Sequence, residues 1–365
     1  MNIENLYEIL TDQPAYRIKQ VERAVFFNLI ESWDEATALP KDLRRKLNDE
    51  VDLQIKNQLF KSKKGDSQKA LIEFSDGSKV ETVLIRHNDG PHTSIDAVRG
   101  KRNTVCVSSQ IGCPLDCAFC ATGKMGFKRN LTKEEIVEQV LFWNRLLRTQ
   151  YHGSYYGTEE KKERDCSPEL EERRRVSNLV FMGMGEPFLN YENVMNAIKF
   201  LNRKEIFGIG MRNISISTIG VLEGIKKFTD EDLQINLAIS LHAPNDKLRT
   251  ELIPANKTWP IKKVLAAVDD YIAKTNRKVM FEYIMIKDVN DSDADARELA
   301  GLMKKKLYLV NLIPYNETEK FHSSLNKRIE KFKNILERAG VNVTRRRAFG
   351  QDIDAACGQL VTRHC

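Results

Sequence analysis

The sequence predicts an α/β fold, in which a parallel sheet curves into a partial (β/α) barrel behind an N-terminal module of helices and a β-hairpin. Two patterns support this prediction. From about residue 104, β-rich runs alternate with helical runs, which is typical of parallel βα units. Residues 1–98 instead show helical periodicity followed by a hairpin pattern. We therefore expect an accessory domain at 1–98, a barrel at 99–346 and a short C-terminal segment at 347–365.

The accessory domain is predicted to contain three amphipathic helices and then a hairpin. The helical stretches lie near 4–10, 13–31 and 40–59. Two alternating runs follow within 70–85 on either side of Asp76–Gly77, a dipeptide typical of tight hairpin turns. Segment 87–103 is rich in turn-forming residues, which predicts a loop leading into the barrel.

The barrel region contains seven candidate strands with helices between most of them. The strands are predicted at 104–109, 178–183, 213–218, 234–241, 278–286, 307–314 and 341–346. The helices include 132–148, 191–203, 260–275, 292–305 and 326–339. Segment 159–175 interrupts this pattern, because 13 of its 17 residues are charged, and we interpret it as a surface insertion. Functional residues of such barrels collect at the C-terminal ends of the strands, so the site is expected there.

The composition indicates a chain with a large core and no membrane segment. Of 365 residues, 41% are hydrophobic and 30% are charged, with a net charge of +7. The sequence has no apolar run near the roughly 18 residues of a membrane helix and no secretory signal pattern. Membrane, collagenous and wholly disordered classes are therefore excluded. The seven cysteines, an odd number without a signal, indicate reduced thiols and a cytoplasmic protein.

Three of the cysteines form a C-x-x-x-C-x-x-C motif just after the first predicted barrel strand. They are Cys113, Cys117 and Cys120. Thiolates hold iron–sulfur clusters, and three of them leave one iron of a four-iron cubane without a protein ligand, so that a small molecule can bind it. The alternative is structural zinc, which usually requires four ligands. No further Cys or His lies immediately beside the motif.

This motif at the start of a β/α barrel resembles the radical S-adenosylmethionine (SAM) enzymes. Further motifs resemble the RlmN and Cfr family of RNA adenine methyltransferases: CVSSQIGC, FCATGKMGFKRNLT, FMGMGEP, ISTIG, SLHAPND, NLIPYN and FGQDIDAACGQL. The resemblance covers essentially the whole chain apart from 159–175. It implies a barrel of the radical SAM type, a [4Fe–4S] cluster held by the three motif cysteines, and two SAM molecules per turnover.

The resemblance also implies a SAM pocket at the ends of the strands. Its members are Gly185, Glu186, Ser217, Ser240, Leu241, His242 and Asn316. In the family the Gly-Glu pair contacts the amino group of SAM, a task that suits a carboxylate. Without the resemblance, a single Ser or Asn at a strand end would be interpreted as a cap or a turn former.

Three further residues are implied to act on the RNA. Carbon 2 of adenine is electrophilic, so SAM cannot methylate it by ordinary displacement. Cys357, otherwise a small buried residue, is implied to accept the methyl group first. A radical from a second SAM then removes a hydrogen from this methyl group, and the carbon adds to the ring. Glu81 is implied to take the ring proton, although its pattern is that of a polar-face strand residue. Cys106 is implied to release the product by forming a transient disulfide with Cys357.

The expected partners are nucleic acid and an electron donor. Residues 301–365 hold 13 Lys and Arg against 6 Asp and Glu, an excess that suits an RNA backbone. The resemblance implies 23S rRNA and tRNA as substrates, an RNA-binding role for the accessory domain and a flavodoxin-type donor. The target adenine must leave its stack to reach a buried cluster. The sequence does not indicate an oligomeric state.

Three functions remain open from the sequence. The first is methylation of carbon 2, which the Gly-Glu-Pro ending of FMGMGEP favours. The second is Cfr-like methylation of carbon 8, which confers antibiotic resistance; ISTIG and PAYRIKQ (14–20) look closer to that branch. The third is a non-catalytic RNA-binding protein with a structural metal site, against which the complete set of motif cysteines argues. Cys166 and Cys365 match no motif.

Overall fold

The computed structural model describes residues 1, 3–87, 102–153, 175–317, 320–347 and 349–361. The strands are β1 (Lys56–Lys61), β2 (Ser67–Glu73), β3 (Lys79–His87), β4 (Arg102–Cys106), β5 (Gln110–Gly112), β6 (Phe127–Asn130), β7 (Asn178–Phe181), β8 (Ile214–Thr218), β9 (Asn236–Ser240), β10 (Val279–Met285), β11 (Tyr308–Pro314) and β12 (Val343–Arg345). The α-helices are α1 (Ile3–Ile9), α2 (Ala15–Glu22), α3 (Lys41–Glu50), α4 (Ala121–Lys124), α5 (Lys133–Gly153), α6 (Tyr191–Asn202), α7 (Leu222–Asp230), α8 (Asp246–Leu252), α9 (Ile261–Thr275), α10 (Asp293–Leu302) and α11 (Asn326–Arg338).

One sheet runs through most of the described chain. Its strand order is β1-β2-β3-β4-β7-β8-β9-β10-β11-β12, and β5 pairs with β6 in a separate two-stranded ribbon. Neighbouring strands are parallel from β4 to β12. Because the order of the described strands does not close on itself, the barrel is partial, as the sequence predicts. All seven predicted barrel strands are present, since strands buried on both faces are recognisable as short apolar runs.

The accessory hairpin joins the barrel sheet directly. The strands β2 and β3 pair antiparallel around the predicted turn, and β3 also pairs antiparallel with β4, where Val83 lies opposite Cys106. The hairpin pattern predicted the two strands but not this junction. The junction places the hairpin beside the site, because β4 is the strand that leads into the cysteine motif.

The third predicted helix, 40–59, is wrong in its second half. Helix α3 ends at Glu50, and the chain then extends towards β1. The physical reason lies in the pattern: Val51, Leu53 and Ile55 are buried while the residues between them are exposed. This alternation has the period of an extended chain and not of a helix.

Other elements were not predicted, or lie outside the described residues. The strand β1, the ribbon of β5 and β6, and the helices α4, α7 and α8 are additions to the predicted set. The charged insertion 159–175, except its last residue, and most of the loop 87–103 lie outside the described residues, as do Cys166 and Cys365. None of the described helices is both long and apolar enough to cross a membrane.

The C-terminal segment packs between the hairpin and the cysteine motif. The carboxylate of Asp352 accepts hydrogen bonds from Ser62 Oγ at 2.9 Å and from the Lys63 amide at 2.8 Å. On the other side, the carbonyl of Gly358 accepts from the Ala121 amide at 2.8 Å. The segment is thus attached to both neighbours, which positions Cys357 between them.

Candidate active site

An open cavity of about 990 Å³ lies at the C-terminal ends of the barrel strands. This is the position expected of a ligand site in such a barrel. The predicted residues that line it are Cys113, Cys117, Cys120, Gly185, Glu186, Ser217, Ser240, His242, Asn316 and Cys357. Leu241, whose side chain is fully buried, is not among the residues that line it. Cys106 and Glu81 also lie outside this cavity.

The cysteine motif forms a tight loop between β5 and α4. Gly112 has φ +74°, and a Cβ at this position would lie 1.8 Å from the carbonyl oxygen of Gly126, so only glycine fits. Burial raises the pKa of the Cys113 thiol to about 12 and raises the pKa of Cys117 well above its ordinary value. Metal binding must therefore release protons from these thiols.

A buried cation that the sequence analysis missed lies near the motif. Arg249, fully buried in α8, donates to the carbonyls of Leu241 at 3.1 Å and Ser240 at 3.1 Å. Burial lowers its pKa to about 10, which leaves it charged at neutral pH. Its charge lowers the pKa of the Cys117 thiol against the effect of burial. No local sequence signal marks Arg249, because an arginine in a short charged helix is expected to lie on the surface.

The donor set fits a [4Fe–4S] cluster. Three thiols from one loop line one end of an open cavity, and a buried cation offsets the negative charge of thiolates. Within the described part of the chain, no three Cys, His, Asp or Glu side chains converge on a single metal ion. In a cubane each thiolate binds its own iron, so the three sulfurs need not converge. The three motif cysteines would hold three irons and leave the fourth for another ligand.

The Gly-Glu pair places a carboxylate on the cavity wall. Gly185 has φ +98°, and a Cβ there would lie 2.5 Å from Cβ of Gln110. Glu186 is buried, and its carboxylate accepts from the amides of Phe188 and Ile219, each at 3.0 Å. Burial nevertheless raises its pKa to about 7. Two amide donors thus fix the orientation of the carboxylate in the wall.

The residues at the C-terminal ends of β8 and β9 contribute polar groups to the lining of the cavity. The hydroxyl groups of Ser217 and Ser240 lie 3.2 Å apart. His242 is buried with φ +59°, and its Nδ1 accepts from the Ile284 amide at 3.2 Å. Burial lowers the pKa of His242 to about 3, so this ring is neutral and offers Nε2–H as its donor.

Cys357 connects the main cavity with a second, smaller one. Both cavities are lined by Cys357 and by Arg346, and the smaller one also by Cys106. Asn316 donates to the carbonyl of Cys357 at 3.3 Å and accepts from Gln351 at 3.0 Å. Asn316 therefore holds the C-terminal segment as well as lining the cavity. All five described cysteines are free thiols.

Glu81 is buried in the hairpin, which contradicts its prediction as a polar-face residue. It pairs with the equally buried Lys69 at 2.9 Å, and its carboxylate accepts from the Val361 amide at 2.9 Å. Alternation alone could not show this, because the face that carries Glu81 is covered by the C-terminal segment. Glu81 lines neither cavity, yet Val361 follows Leu360, which lines both.

Comparisons with known proteins agree with this geometry. The Radical SAM superfamily model matches residues 107–300. A probable dual-specificity RNA methyltransferase RlmN of Dictyoglomus thermophilum is 42% identical over 363 residues, covering 98% of this chain and 94% of that protein. The ribosomal RNA large subunit methyltransferase N of Nitrosopumilus maritimus is 40% identical, with coverages of 95% and 92%. The crystal structure of a radical SAM methyltransferase from Sphaerobacter thermophilus matches with a TM-score of 0.83 and 39% identity, covering 99% of this chain and 97% of that one.

Proposed function

Because the chain belongs to the RlmN family of radical SAM RNA methyltransferases, we propose that it methylates carbon 2 of an adenine in 23S rRNA and in tRNA. One observation carries the proposal: Cys357 lines the same cavity as the three cysteines of the cluster motif. A cysteine in this position can receive a methyl group from one SAM molecule and present it to a second one.

The three motif cysteines would hold the [4Fe–4S] cluster, which would supply the electron for the cleavage of SAM. Glu186 is aimed into the same cavity by two amide donors, and a carboxylate so held binds the ammonium group of SAM. The hydroxyls of Ser217 and Ser240 offer further polar contacts. Two SAM molecules are used in each turnover, one for the methyl group and one for hydrogen abstraction.

Cys357 acts as the methyl carrier. Its thiolate attacks the methyl carbon of SAM, so that an S–C bond forms and S-adenosylhomocysteine leaves. After this methyl group has lost a hydrogen and its carbon has joined the adenine ring, Cys357 is linked covalently to the RNA. Glu81 takes the proton from the substituted ring carbon, and the unpaired electron left by the addition would return to the oxidised [4Fe–4S] cluster, so that a closed-shell adduct remains.

Cys106 then releases the product. Its thiolate attacks the sulfur of Cys357, an S–S bond forms, and the S–C bond breaks with its electrons passing to the nucleotide, which takes up a proton to complete the methyl group. The shared smaller cavity supports this pairing. A cellular reductant must then reduce the disulfide, which fits a reducing cytoplasm.

The partners follow from this activity. The accessory domain and the positively charged segment 301–365 are proposed to bind RNA, and a flavodoxin-type protein is proposed to reduce the cluster. Because both proposed substrates are cellular RNAs, we also propose a cytoplasmic location. Carbon 8 of the same ribosomal adenine is the alternative target, because ISTIG and PAYRIKQ look closer to the Cfr branch.

The test is an anaerobic reaction of iron-reconstituted protein with SAM, reductant and ribosomal RNA that lacks the modification. The RNA is digested to nucleosides, which are compared by mass spectrometry with standards of both methyladenosines. We expect 2-methyladenosine. A product of 8-methyladenosine would move the chain to the other branch, and failure of iron-loaded protein to release 5′-deoxyadenosine would support the non-catalytic alternative.

A further inference from the structure

One guanidinium group shares its cavities with the two reactive thiols. Arg346 follows strand β12, where its amide donates to the Leu312 carbonyl at 2.9 Å. Its side chain lines the main cavity together with Cys357, and the smaller cavity together with both Cys106 and Cys357. Of the described residues that line the main cavity, Arg346 is the only Lys or Arg. A positive charge is therefore present where the two cysteines of the proposed reaction meet.

The guanidinium of Arg346 is only weakly paired. Within the described part of the chain it makes one hydrogen bond, in which Nη1 donates to Met182 Sδ at 3.4 Å. A thioether sulfur is a weak acceptor, and no Asp or Glu among these residues forms an ion pair with Arg346. Because a half-buried cation without a close anion is costly, its position indicates that an anion balances this charge during function.

Electrostatic effects identify the anion. The Cys357 thiolate has the largest effect on the pKa of Arg346 and raises it, and the carboxylate of Glu282 has a smaller effect in the same direction. Because the attraction between two charges is mutual, Arg346 in turn favours the thiolate form of Cys357. Arg346 also lowers the pKa of the Cys106 thiol against the larger effect of burial. Its charge thus acts on both sulfurs.

The proposed reaction needs each of these thiolates at a different step, because the thiolate is the nucleophilic form of cysteine. In the first step the Cys357 thiol loses its proton to solvent, and its sulfur displaces S-adenosylhomocysteine from the methyl carbon of SAM. Cys357 is then an uncharged thioether. The charge of Arg346 can therefore act on Cys106, whose thiol loses its proton before its sulfur attacks that of Cys357. One cation suffices because the two thiolates are needed in succession.

We propose that Arg346 is a positioning residue that stabilises the reactive thiolates, first that of Cys357 and then that of Cys106. This inference rests on the proposed function, which makes Cys357 the methyl carrier and Cys106 the resolving thiol. It adds the group that keeps two buried or half-buried sulfurs nucleophilic in cavities whose other charged lining residues include the carboxylates of Glu186 and Glu282.

The test is the rate of Cys357 alkylation by iodoacetamide in the reduced, iron-reconstituted protein near neutral pH, without SAM or RNA. Peptide mass spectrometry follows the free thiol separately from any S-methylated Cys357. A nearby opposite charge favours a thiolate by about tenfold or more, and only the thiolate reacts. We therefore expect Arg346→Gln to slow the alkylation of Cys357 at least about tenfold. An unchanged rate would overturn the proposal.

A charge-conserving variant separates this effect from a structural role of the side chain. Arg346→Lys keeps the positive charge but not the planar fork of donors, and we expect it to restore most of the alkylation rate. Equally slow alkylation in Arg346→Lys and Arg346→Gln would overturn the proposal. Arg297→Gln, on the exposed side of α10, is the matched control and should react like the unaltered protein. If Arg346→Gln does not fold, Arg346→Met replaces it, with the same expected loss and the same contradicting outcome.

The effect on the second thiol is measured in a Cys357→Ala background, where Cys357 no longer influences Cys106. There we expect the added Arg346→Gln substitution to slow the alkylation of Cys106 about tenfold. An unchanged rate would remove Cys106 from the proposal.

These outcomes are independent of the RNA activity, because alkylation needs neither SAM nor RNA. If alkylation depends on the charge of Arg346 but no methyladenosine forms, the proposed function is contradicted and the effect of Arg346 on the thiols stands. Conversely, normal alkylation in Arg346→Gln alongside RNA methylation by the unaltered protein would contradict this inference alone.

Discussion

Cys106 and Cys357 line the same small cavity, one at the end of β4 and the other on the C-terminal segment. Burial and then the nearby Cys357 raise the pKa of Cys106, so the two thiols are close enough to influence each other. Their proximity depends on the hydrogen bonds of Asp352 and Gly358, which hold the C-terminal segment against the hairpin and the cysteine motif.

Replacement of the methyl carrier should separate SAM cleavage from RNA methylation. In Cys357→Ala we expect methyladenosine to fall below detection, because no sulfur receives the methyl group, while 5′-deoxyadenosine still forms. Both products are quantified by mass spectrometry from the same anaerobic reaction. Methylation at the unaltered level would refute the role of Cys357.

Replacement of the resolving thiol should trap the intermediate. In Cys106→Ala we expect protein covalently linked to RNA to accumulate, since nothing attacks the sulfur of Cys357. Denaturing gel electrophoresis of reactions with labelled RNA measures the adduct. The double variant with Cys357→Ala is the control and should form none; release of product without an adduct in Cys106→Ala would argue against the assignment.

The reactivity of Cys106 should depend steeply on pH. Burial raises its pKa to about 12, so the thiolate fraction grows about tenfold per pH unit below that value. We expect the rate of Cys106 alkylation in the folded, reduced protein to rise in this way from pH 7.5 to 9.5, without a plateau. Peptide mass spectrometry follows the reaction, and the unfolded protein, with an ordinary thiol pKa, should approach a plateau. A plateau near pH 8.5 in the folded protein would disprove the shift.

Glu81 should affect proton removal and not only stability. Glu81→Gln keeps an acceptor for the Val361 amide, and we expect it to fold and to accumulate the RNA adduct because the ring proton stays in place. Lys69→Met is the matched control. It removes the buried cation that lies 2.9 Å from the Glu81 carboxylate, so the free energy of unfolding should fall by about 3–5 kcal/mol, without adduct in the folded fraction. Normal turnover in Glu81→Gln would exclude this residue as the base.

The backbone at Gly185 should be essential for SAM binding. An added Cβ would meet Gln110, whose side chain accepts from the Glu186 amide at 2.8 Å. We expect Gly185→Ala to displace Glu186 and to weaken SAM binding at least about tenfold through lost hydrogen bonds and backbone strain. Gly301→Ala, at a helical position with open space around its Cβ, is the control. Equal SAM affinity in both variants would contradict the expectation.

Much of the fold was predictable from local patterns. The barrel strands are short apolar runs, and the three motif cysteines lie within residues 113–120. Both patterns are therefore visible in a short window of the sequence. The predicted helix at 40–59 was wrong beyond Glu50, because a buried residue at every second position was taken for a helical face.

The sequence by itself determined the parallel barrel, the three-cysteine loop and the family motifs at the strand ends, since each depends on residues close together in the chain. Only the tertiary structure decided that the hairpin joins β4 and that Glu81 is buried against Lys69. It also decided that Arg249 lies buried near the cysteine motif and that Glu282 and Arg346 line the cavity. Charged residues such as these look like solvated surface in a sequence. Their burial depends on which distant segments pack over them, and that packing is a property of the whole chain.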